Sequence, residues 1–318
     1  METILLGIFI LGYLAITLEH SLKIDKLIPA LAMMAFLWAL IAIFHIPVFE
    51  VDTELRELIP TKIKKIMAYH LSHTSEILIF LLGAMTIVEI IDYYNGFEKI
   101  KSFIRTKSKK KLLWIFSILA FILSAIIDNL TATIVLITIL QKIIRDKNLR
   151  LWFAGLIVIA ANAGGAWSPI GDVTTTMLWI ADKVTVPMLL YYVFIPSVVC
   201  MIVPVYIASF LKPFKGNLDK MDNDESSITK IGTRMLWLGL SAILFVPFFK
   251  VFTGLQPYVG MMLSLAIVAT FAEIYSGTKF NISTPNEDSI MHSKSPVHSA
   301  LTKIELPSIL FFLGILMA

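Results

Sequence analysis

The chain has 318 residues, of which 57% are hydrophobic and 16% are charged, and its mean hydropathy is +0.81. Soluble globular domains are about 45–50% apolar and about 25% charged, so this composition excludes a water-soluble domain and indicates an integral membrane protein. The net charge of +4 is the mild basic excess that cytoplasmic loops give to membrane proteins, so it does not indicate a nucleic-acid partner.

Apolar runs that can cross a hydrocarbon core of roughly 30 Å as helices recur along the chain. They lie at about 4–18, 27–47, 75–92, 112–141, 151–182, 187–211, 233–252, 255–274 and 305–318. The first run is expected to be a membrane helix and not a signal peptide, because Met1–Leu18 carries Glu2 in place of a basic start. The sequence therefore predicts an all-α polytopic membrane protein with a single transporter domain over 1–318.

The run 112–141 is too long for one crossing and too short for two crossings with a turn. Seven basic residues lie in 98–111 and four lie in 142–150, so both flanks of this run are expected on the cytoplasmic side. One crossing cannot place both of its ends on the same side of a membrane. We therefore predict a re-entrant helical hairpin that turns near Asp128 and Asn129.

The run 151–182 is interrupted at 162–172. This segment contains Gly164, Gly165 and Pro169, which are poor helix formers. We predict a discontinuous membrane helix whose glycines adopt positive φ and let the backbone approach a ligand closely.

With the hairpin entering from the cytoplasm, the remaining runs alternate so that the N-terminus lies outside. The same arrangement predicts an amphipathic surface helix outside the membrane over 53–72, where the charges are mixed. It also predicts a flexible cytoplasmic linker over 276–304, which is rich in Ser, Thr, Asn, Pro and Lys.

A weak internal repeat connects two distant segments of the chain. Residues 79–85 (IFLLGAM) resemble residues 310–316 (LFFLGIL), and the predicted topology gives the two segments opposite directions. This pattern is typical of an inverted-repeat transporter fold. We expect the first repeat over about 75–211 and a second repeat that begins near 305 and is truncated, which makes the chain a fragment.

The predicted hairpin tip carries polar oxygen atoms at membrane depth. A carboxylate there costs from about 3 to more than 10 kcal/mol, so Asp128 is a candidate for a functional site. Asp128 and Asn129 offer carboxylate and amide oxygens, and Thr131 and Thr133 offer hydroxyls, a set that suits the hard cations Na⁺ or Li⁺. A polar cap that faces only protein is the alternative interpretation of Asp128 and Asn129.

The predicted break in the second long run offers further oxygen ligands. They come from Asn162, Ser168, Asp172, Thr174 and Thr175. Asp172 lies at the start of the second half-helix, so a simple N-cap is its alternative role. The threonines could instead bond to their own helix. We expect the break and the hairpin tip to meet at one depth, as opposed discontinuities do in many secondary transporters.

Polar residues in the other runs are secondary candidates. Glu89 and Asp92 lie near the predicted cytoplasmic end of their helix, where they are expected to pair with the basic cluster 98–111 or to reach the membrane surface. Glu76 and His73 lie near the predicted outer surface and are candidates for proton entry.

Three segments of the chain closely resemble NhaD-type sodium/proton antiporters of the ion transporter superfamily. They are 81–92 (LLGAMTIVEIID), the tip Asp128-Asn129-Leu130-Thr131, and 162–176. The resemblance covers essentially all of 1–318 and implies exchange of Na⁺ or Li⁺ for H⁺. Dicarboxylate carriers of the same superfamily have Ser-Asn-Thr at the comparable tip, so Asp128 in place of that serine favours a cation. The family also has a second hairpin and a second broken helix, which 1–318 lacks.

These observations lead to one hypothesis. Asp128 binds either a proton or Na⁺, so competition for one carboxylate couples the two fluxes, and Asp172 is a second titrating or positioning group. Asp128 and Asn129 are the expected primary Na⁺ ligands. The other expected ligands are Thr131, Asn162, Ser168, Thr174 and Thr175. No cofactor is expected beyond the transported ions, and the expected location is the inner membrane of a bacterium. The oligomeric state stays open, with a homodimer among the alternatives.

Two rival functions follow from the same residues. A sodium-coupled carrier of arsenite or a dicarboxylate would have the same fold. An intramembrane aspartyl protease also needs two membrane aspartates, but Asp172 follows Ser168-Pro169-Ile170-Gly171 and not the usual Gly-x-Gly context. The sequence therefore predicts a transporter and not an enzyme.

Overall fold

The structure is a computed structural model of the chain, and it describes residues 2–52, 57–101, 104, 106–218, 229–276 and 295–318. These ranges are mostly helical. The helices are α1 (Glu2–Thr17), α2 (Glu19–Leu22), α3 (Leu27–Ile43), α4 (Ile63–Tyr93), α5 (Glu98–Lys101), α6 (Lys109–Ser124), α7 (Asn129–Ile143), α8 (Lys147–Ala166), α9 (Val173–Ile180), α10 (Val186–Ala208), α11 (Lys230–Thr253), α12 (Pro257–Ser276), α13 (Pro296–Lys303) and α14 (Leu306–Met317). A two-stranded antiparallel sheet, β1 (Val48–Asp52) and β2 (Glu57–Thr61), lies between α3 and α4.

Five of the described helices are long and apolar enough to cross a membrane, namely α4, α8, α10, α11 and α12, and the number rises to six if α13 and α14 form one bent span. Three further apolar helices, α1, α3 and α7, have fewer than 18 residues. Each long helix exposes large apolar side chains that water would not tolerate as a continuous surface. The predicted multi-pass helical membrane protein is therefore confirmed.

The chain divides into two compact units, which share α4. The first unit comprises Met1–Leu82 and Glu305–Ala318. In this unit α3 packs against α1 and α14. The Trp38 Nε1–H donates a 2.7 Å hydrogen bond to the Met317 carbonyl, and Gly314 lies directly against the backbone of Ala30. The prediction of a single transporter domain stays a prediction.

The second unit, Gly83–Ile304, contains both interrupted helices. At its core α6 packs against α8, and α7 and α10 also pack against α8. Elsewhere in this unit α11 packs against α12. Phe116 and Phe153 are fully buried at the α6–α8 contact with ring centroids 6.2 Å apart, and Phe214 lies 5.1 Å from Phe153. This packing places the end of α6 beside the end of α8.

The predicted surface helix over 53–72 is wrong for 57–61, which form β2, and its residues 53–56 lie outside the described part of the chain. Val48 pairs with Thr61 and Phe49 pairs with Pro60 in the antiparallel ladder. The β-branched residues of these strands favour extended backbone, and Pro60 would interrupt a helix that ran through it. From Ile63 the chain is helical and free of proline as far as Tyr93, so 63–72 are the first turns of one long membrane helix.

The predicted flexible linker over 276–304 is wrong at its C-terminal end. Residues 296–303 form α13, and the Ser295 hydroxyl caps this helix by accepting a hydrogen bond from the His298 N–H. Ser295 also donates to a carboxylate oxygen of Glu273 near the end of α12, so the start of α13 is tied to α12. Residues 277–294 lie outside the described part of the chain.

Candidate functional site

The helix is interrupted where the hairpin turn is predicted, and the re-entrant path itself stays a prediction. Helix α6 ends at Ser124, and α7 begins at Asn129 with Asp128 as its N-cap. The Asp128 carboxylate accepts hydrogen bonds from the Thr131 N–H at 2.9 Å and from the Thr131 hydroxyl at 2.5 Å. Since the first N–H groups of a helix have no partner within it, this carboxylate satisfies one of them and neutralises part of the positive helix end.

The predicted break in the second long run is also confirmed, with a shifted start. Helix α8 continues through Ala166, and α9 begins at Val173 with Asp172 as its N-cap. The Asp172 carboxylate accepts a 2.7 Å hydrogen bond from the Thr174 N–H. The chain between the two helices is non-helical, and Pro169 lies in its centre. Proline, and not the glycine pair before it, is therefore the residue that keeps the break from closing into a helix.

The predicted positive φ of the glycines is wrong, and their predicted close approach to a ligand stays a prediction. Gly164 and Gly165 are both helical, and in the described part of the chain the glycines with positive φ are Gly216 and Gly254. A Cβ at Gly164 would lie 2.2 Å from the Phe121 carbonyl oxygen of α6. The glycine therefore allows two backbones to touch.

The same close approach occurs at the break itself. A Cβ on Gly171 would lie 2.4 Å from the Ser124 carbonyl oxygen, and a Cβ on Gly165 would lie 2.5 Å from the Gly171 carbonyl oxygen. Real Cβ atoms do not come this close to backbone atoms. Small residues at these positions let the break settle directly onto the hairpin tip, which is how small residues generally act between membrane helices.

One hydroxyl group fastens the break to the tip, and a second one braces the break itself. The buried Ser168 hydroxyl donates a 2.5 Å hydrogen bond to the Ala125 carbonyl in the hairpin turn. The Thr175 hydroxyl donates to the Ser168 carbonyl at 2.8 Å and to the Asp172 carbonyl at 3.0 Å. The Ala125 carbonyl at the tip thus finds a partner across the contact, and the Ser168 carbonyl finds one within the break, as they must where water is scarce.

Asn129 connects the two discontinuities through its side chain. Its amide nitrogen donates a 2.8 Å hydrogen bond to the Asn162 Oδ1 and a 2.9 Å hydrogen bond to the Asp172 Oδ2. The Asn162 amide nitrogen donates in turn to the Val158 carbonyl at 2.8 Å. The predicted meeting of tip and break therefore occurs, and it unites Asn129, Asn162 and Asp172 in one polar contact.

The arrangement leaves oxygen atoms with unused acceptor capacity. Both hydrogens of the Asn129 amide group are engaged, so its carbonyl oxygen is turned away from Asn162 and Asp172. Each carboxylate oxygen of Asp128 and Asp172 accepts one recorded hydrogen bond and can accept a second. Both aspartates are half-buried. A cation at this contact would therefore find carboxylate and amide oxygens that are already held in place.

The donor set suits a monovalent cation. Among the described residues, no group of three or more His, Cys, Asp or Glu side chains is placed to hold a metal ion. Two carboxylates and several neutral oxygens match the weak, oxygen-only coordination of Na⁺ or Li⁺ better than that of a transition metal.

Ser124 is a site residue that sequence reasoning missed. Its side chain is fully buried at the last position of α6, and its hydroxyl has no hydrogen-bond partner in the described part of the chain. It lies four residues before Asp128 and beside Gly165. The signal available in the sequence is a serine four residues before the tip aspartate inside an apolar run. That signal is weak, because serines are common in membrane helices.

The secondary candidates Glu76, Glu89 and Thr133 lie on α4 and α7, and their roles stay predictions. Glu89 interacts electrostatically with Asp92 on its own helix and with Lys303 of α13. Its predicted pairing with the cluster 98–111 stays a prediction. Thr133 is half-buried on α7, one turn beyond Asn129. Glu76 is half-buried on α4, and one of its carboxylate oxygens is buried without a hydrogen bond from the described residues.

Fold and site together define a polytopic helical membrane protein in which two interrupted helices meet through polar caps. The family model described as "Citrate transporter" matches residues 4–318, so the chain belongs to this family.

The chain is also similar to proteins named as antiporters. It is 38% identical to sodium/proton antiporter 1 of Arabidopsis thaliana, over 98% of this chain and 50% of that protein. It is 35% identical to sodium/proton antiporter 2 of the same plant, over 98% of this chain and 70% of that protein. It is 28% identical to the Na⁺/H⁺ antiporter NhaD of Vibrio cholerae, over 98% of this chain and 66% of that protein.

These matches confirm the resemblance to NhaD-type antiporters, and they identify the family as transporters and not enzymes. The chain spans about half the length of several of the curated relatives it matches.

Proposed function

We propose that the full-length protein is a secondary transporter that exchanges Na⁺ or Li⁺ for H⁺. One observation carries this proposal: two aspartates cap two half-helices, and Asn129 of the first cap region binds Asp172 of the second. The names of the relatives, which describe sodium/proton antiport by those proteins, support the same choice.

In this proposal Asp128 is the exchanging group. Its carboxylate holds a proton in one state and a cation in the other, and it cannot hold both. Thr131 keeps the carboxylate fixed through the cap in either state, because its N–H and hydroxyl approach from the helix side. Because the proton and the cation compete for one carboxylate, the fluxes of the two ions are coupled, and no other coupling element is needed.

Neutral oxygens and Asp172 complete the proposed cation shell. The Asn129 carbonyl oxygen is available, and Ser124 offers a buried hydroxyl. Asp172 keeps Asn129 oriented, so it acts as a positioning group and adds negative charge that favours the cation. The Asn162 Oδ1 accepts a hydrogen bond from the same Asn129 amide nitrogen and so also helps to orient the Asn129 side chain. Ser168, Thr174 and Thr175 support the break at which Asp172 stands.

The proposal includes a re-entrant hairpin. Helices α6 and α7 have 16 and 15 residues, which makes each of them about 23 Å long, less than the roughly 30 Å of a hydrocarbon core. The ends of α6 and α7 that lie away from the tip carry Lys109 and Lys142, respectively. These basic residues favour a cytoplasmic position for both ends. The proposed first repeat covers about 75–211. The proposed second, inverted repeat begins near 305. The remainder of a full-length protein, which the relatives have beyond the matched region, would complete it.

A second candidate function is suggested by the description of the matching family, citrate transporter. An anion carrier would need donors or cations that face a carboxylate substrate. Among the described residues, the recorded hydrogen bonds of the tip and the break involve no Lys or Arg side chain. Two aspartates at the contact would repel a tricarboxylate, so cation exchange is the better fit.

Everted vesicles that hold a preset proton gradient can separate the two functions. The full-length protein is expected to dissipate the gradient when Na⁺ or Li⁺ is added, and labelled citrate should not accumulate. Accumulation of citrate that depends on Na⁺, without cation-driven proton movement, would overturn the proposal in favour of the anion carrier. The inner membrane of a bacterium is the proposed setting, and a bacterial relative supports it.

A further inference from the structure

Helix α9 is too short to fix its own position. It has eight residues, which corresponds to a length of about 12 Å, and isolated helices of fewer than about 12–15 residues are marginal. Its N-terminal end carries Asp172 and therefore one wall of the candidate site. Whatever holds the C-terminal end of α9 therefore acts together with the contacts of Asn129 and Ser168 to fix where Asp172 lies.

One ammonium group holds that C-terminal end. The Lys250 Nζ donates a 2.6 Å hydrogen bond to the Asp182 carboxylate and a 3.3 Å hydrogen bond to the Trp179 carbonyl oxygen. The same nitrogen lies 5.2 Å from the centroid of the Trp179 ring. Lys250 belongs to α11, so all three interactions reach across from another helix.

The three interactions are of unequal weight. The Asp182 side chain is 67% exposed, so water screens its ion pair with Lys250 strongly. The Lys250 side chain is only 20% exposed and Trp179 is 3% exposed, so the ring contact and the carbonyl hydrogen bond are shielded. A cation at a helix C-terminus is also favoured by the helix dipole. Most of the anchoring should therefore come from the charge over the end of α9, and less from Asp182.

Helix α11 is a firm base for such an anchor. It pairs with α12 along its length, and its first turn lies against the chain after α4, where a Cβ on Gly232 would meet the Tyr94 carbonyl oxygen at 2.4 Å. Lys250 stands near the opposite end of the same helix. An anchor on α11 thus transmits a fixed position to α9.

We propose that Lys250 is a positioning residue for the candidate cation site: it anchors the C-terminal end of α9 and so keeps Asp172 within reach of Asn129. The inference rests on the proposed function wherever transport is measured. Its structural content, the anchoring of α9, can be measured without transport.

The structural test uses a buried thiol on α9. Thr176 is 1% exposed, so Thr176→Cys in a full-length protein whose native cysteines, Cys200 among them, are replaced by serine should react slowly with a water-soluble maleimide. Adding Lys250→Met should raise the labelling rate about tenfold, within the range expected for loss of a partly buried cation at a helix C-terminus. Lys250→Arg keeps the charge and should stay near the parent rate, and Asp182→Asn should give a smaller rise than Lys250→Met.

Lys183→Met is the matched control. It removes an exposed lysine one residue beyond Asp182, so it lowers the local charge by the same amount and leaves Lys250 in place. An unchanged labelling rate in Lys250→Met, or an equal rise in Lys183→Met, would overturn the proposal. If Lys250→Met does not fold, the double variant Lys250→Asp with Asp182→Lys decides, because it keeps an ion pair between the two positions but reverses its direction. Slow labelling of this variant would mean that an ion pair in either direction is sufficient. That result would contradict a role for the cation over Trp179.

The transport test measures the KM for Na⁺ and the maximal rate in the same variants. Lys250→Met should raise the KM about tenfold, since the cation shell is displaced, and should lower the maximal rate much less. A lowered maximal rate with an unchanged KM would contradict positioning. If no variant, including the wild type, exchanges cations, the proposed function fails, and the labelling result still decides the anchoring of α9.

Discussion

The side-chain amide of Asn129 donates a 2.9 Å hydrogen bond to the carboxylate of Asp172. These two residues begin different half-helices, and 43 positions separate them in the chain. The bond therefore joins the hairpin tip to the break, beside the Ser168–Ala125 hydrogen bond and the close approach of Gly171 to Ser124. A cation that bound at one of the two helix starts would therefore lie close to the other as well, so the pair lies at the centre of the candidate site.

Substitution of Asn129 tests this relationship. Asn129→Ala removes the donor to Asp172 and to Asn162, and it should raise the KM for Na⁺ by about tenfold, as expected when a buried hydrogen bond to a charged group is lost. Asn129→Asp should be more severe, because it places a third carboxylate beside Asp128 and Asp172. Sodium titrations of exchange in vesicles give both values.

Asn148→Ala is the control for that series. Asn148 also lies in the first turn of a helix that follows an aspartate N-cap, but it is exposed and remote from the tip. It should leave the KM unchanged. Equal effects of Asn129→Ala and Asn148→Ala would mean that the helix start matters and the contact with Asp172 does not.

The glycine contacts predict a large difference between two substitutions in one helix. Gly164→Ala should destabilise the protein by about 1–3 kcal/mol, because its Cβ would meet the Phe121 carbonyl oxygen and neither backbone can move easily. Gly155→Ala should be neutral or stabilising by up to about 1 kcal/mol, since nothing lies within 4 Å of its Cβ and alanine favours a helix. Thermal unfolding of the purified full-length variants in detergent measures both changes. Similar melting temperatures for Gly155→Ala and Gly164→Ala would contradict the close approach of α8 to α6.

The discontinuities could be predicted from the sequence because each leaves a strong local signal. Basic flanks on both sides of 112–141 require a turn within it, and Asp128 is costly in the membrane unless it lies at such a turn. Pro169 interrupts any helix through 162–172. The meeting of tip and break followed from the general architecture of transporters, and the hydrogen bonds of Asn129 agree with it.

Other features depend on contacts between distant segments, and the sequence does not display these. From the sequence alone, Gly164 is expected to let the backbone approach a ligand. Its actual neighbour, Phe121, is more than 40 positions away in the chain, so a linear pattern does not reveal the contact. The strand pairing of Val48 with Thr61 was missed for the same reason, since mixed charges suggested a surface helix. The anchoring of Trp179 by Lys250 spans 71 positions.

A contact at the end of α4 allows a test of stability against pH. The Tyr94 hydroxyl donates a 2.5 Å hydrogen bond to the Ala272 carbonyl. Burial, with smaller contributions from Tyr93 and Glu273, raises the pKa of Tyr94 from 10.0 to about 12, so folding favours the neutral form. Stability from this group is therefore fully present below the ordinary pKa and is lost as the pH rises through the raised value.

Tyr94→Phe should accordingly lower the free energy of unfolding by about 1 kcal/mol, the usual net value of one hydrogen bond. The difference from the wild type should be constant between about pH 6 and pH 9, because Tyr94 does not titrate in that window. Tyr93→Phe serves as the control, since the Tyr93 ring is partly exposed and its hydroxyl has no recorded hydrogen bond in the described structure. A difference that grows steadily from pH 6 to pH 9 would show that another group titrates with Tyr94.

The central claim, that Na⁺ and a proton compete for Asp128, is tested most directly by proton release. Na⁺ is added to the purified full-length protein in weakly buffered detergent solution, and the released protons are measured. The wild type should release protons as Na⁺ binds. Asp128→Asn should release none, because asparagine still caps α7 but carries no proton to exchange. Asp146→Asn, which changes the exposed N-cap of α8 in the same way, should behave as the wild type. Undiminished proton release in Asp128→Asn, or Na⁺ binding by the wild type without proton release, would contradict the account.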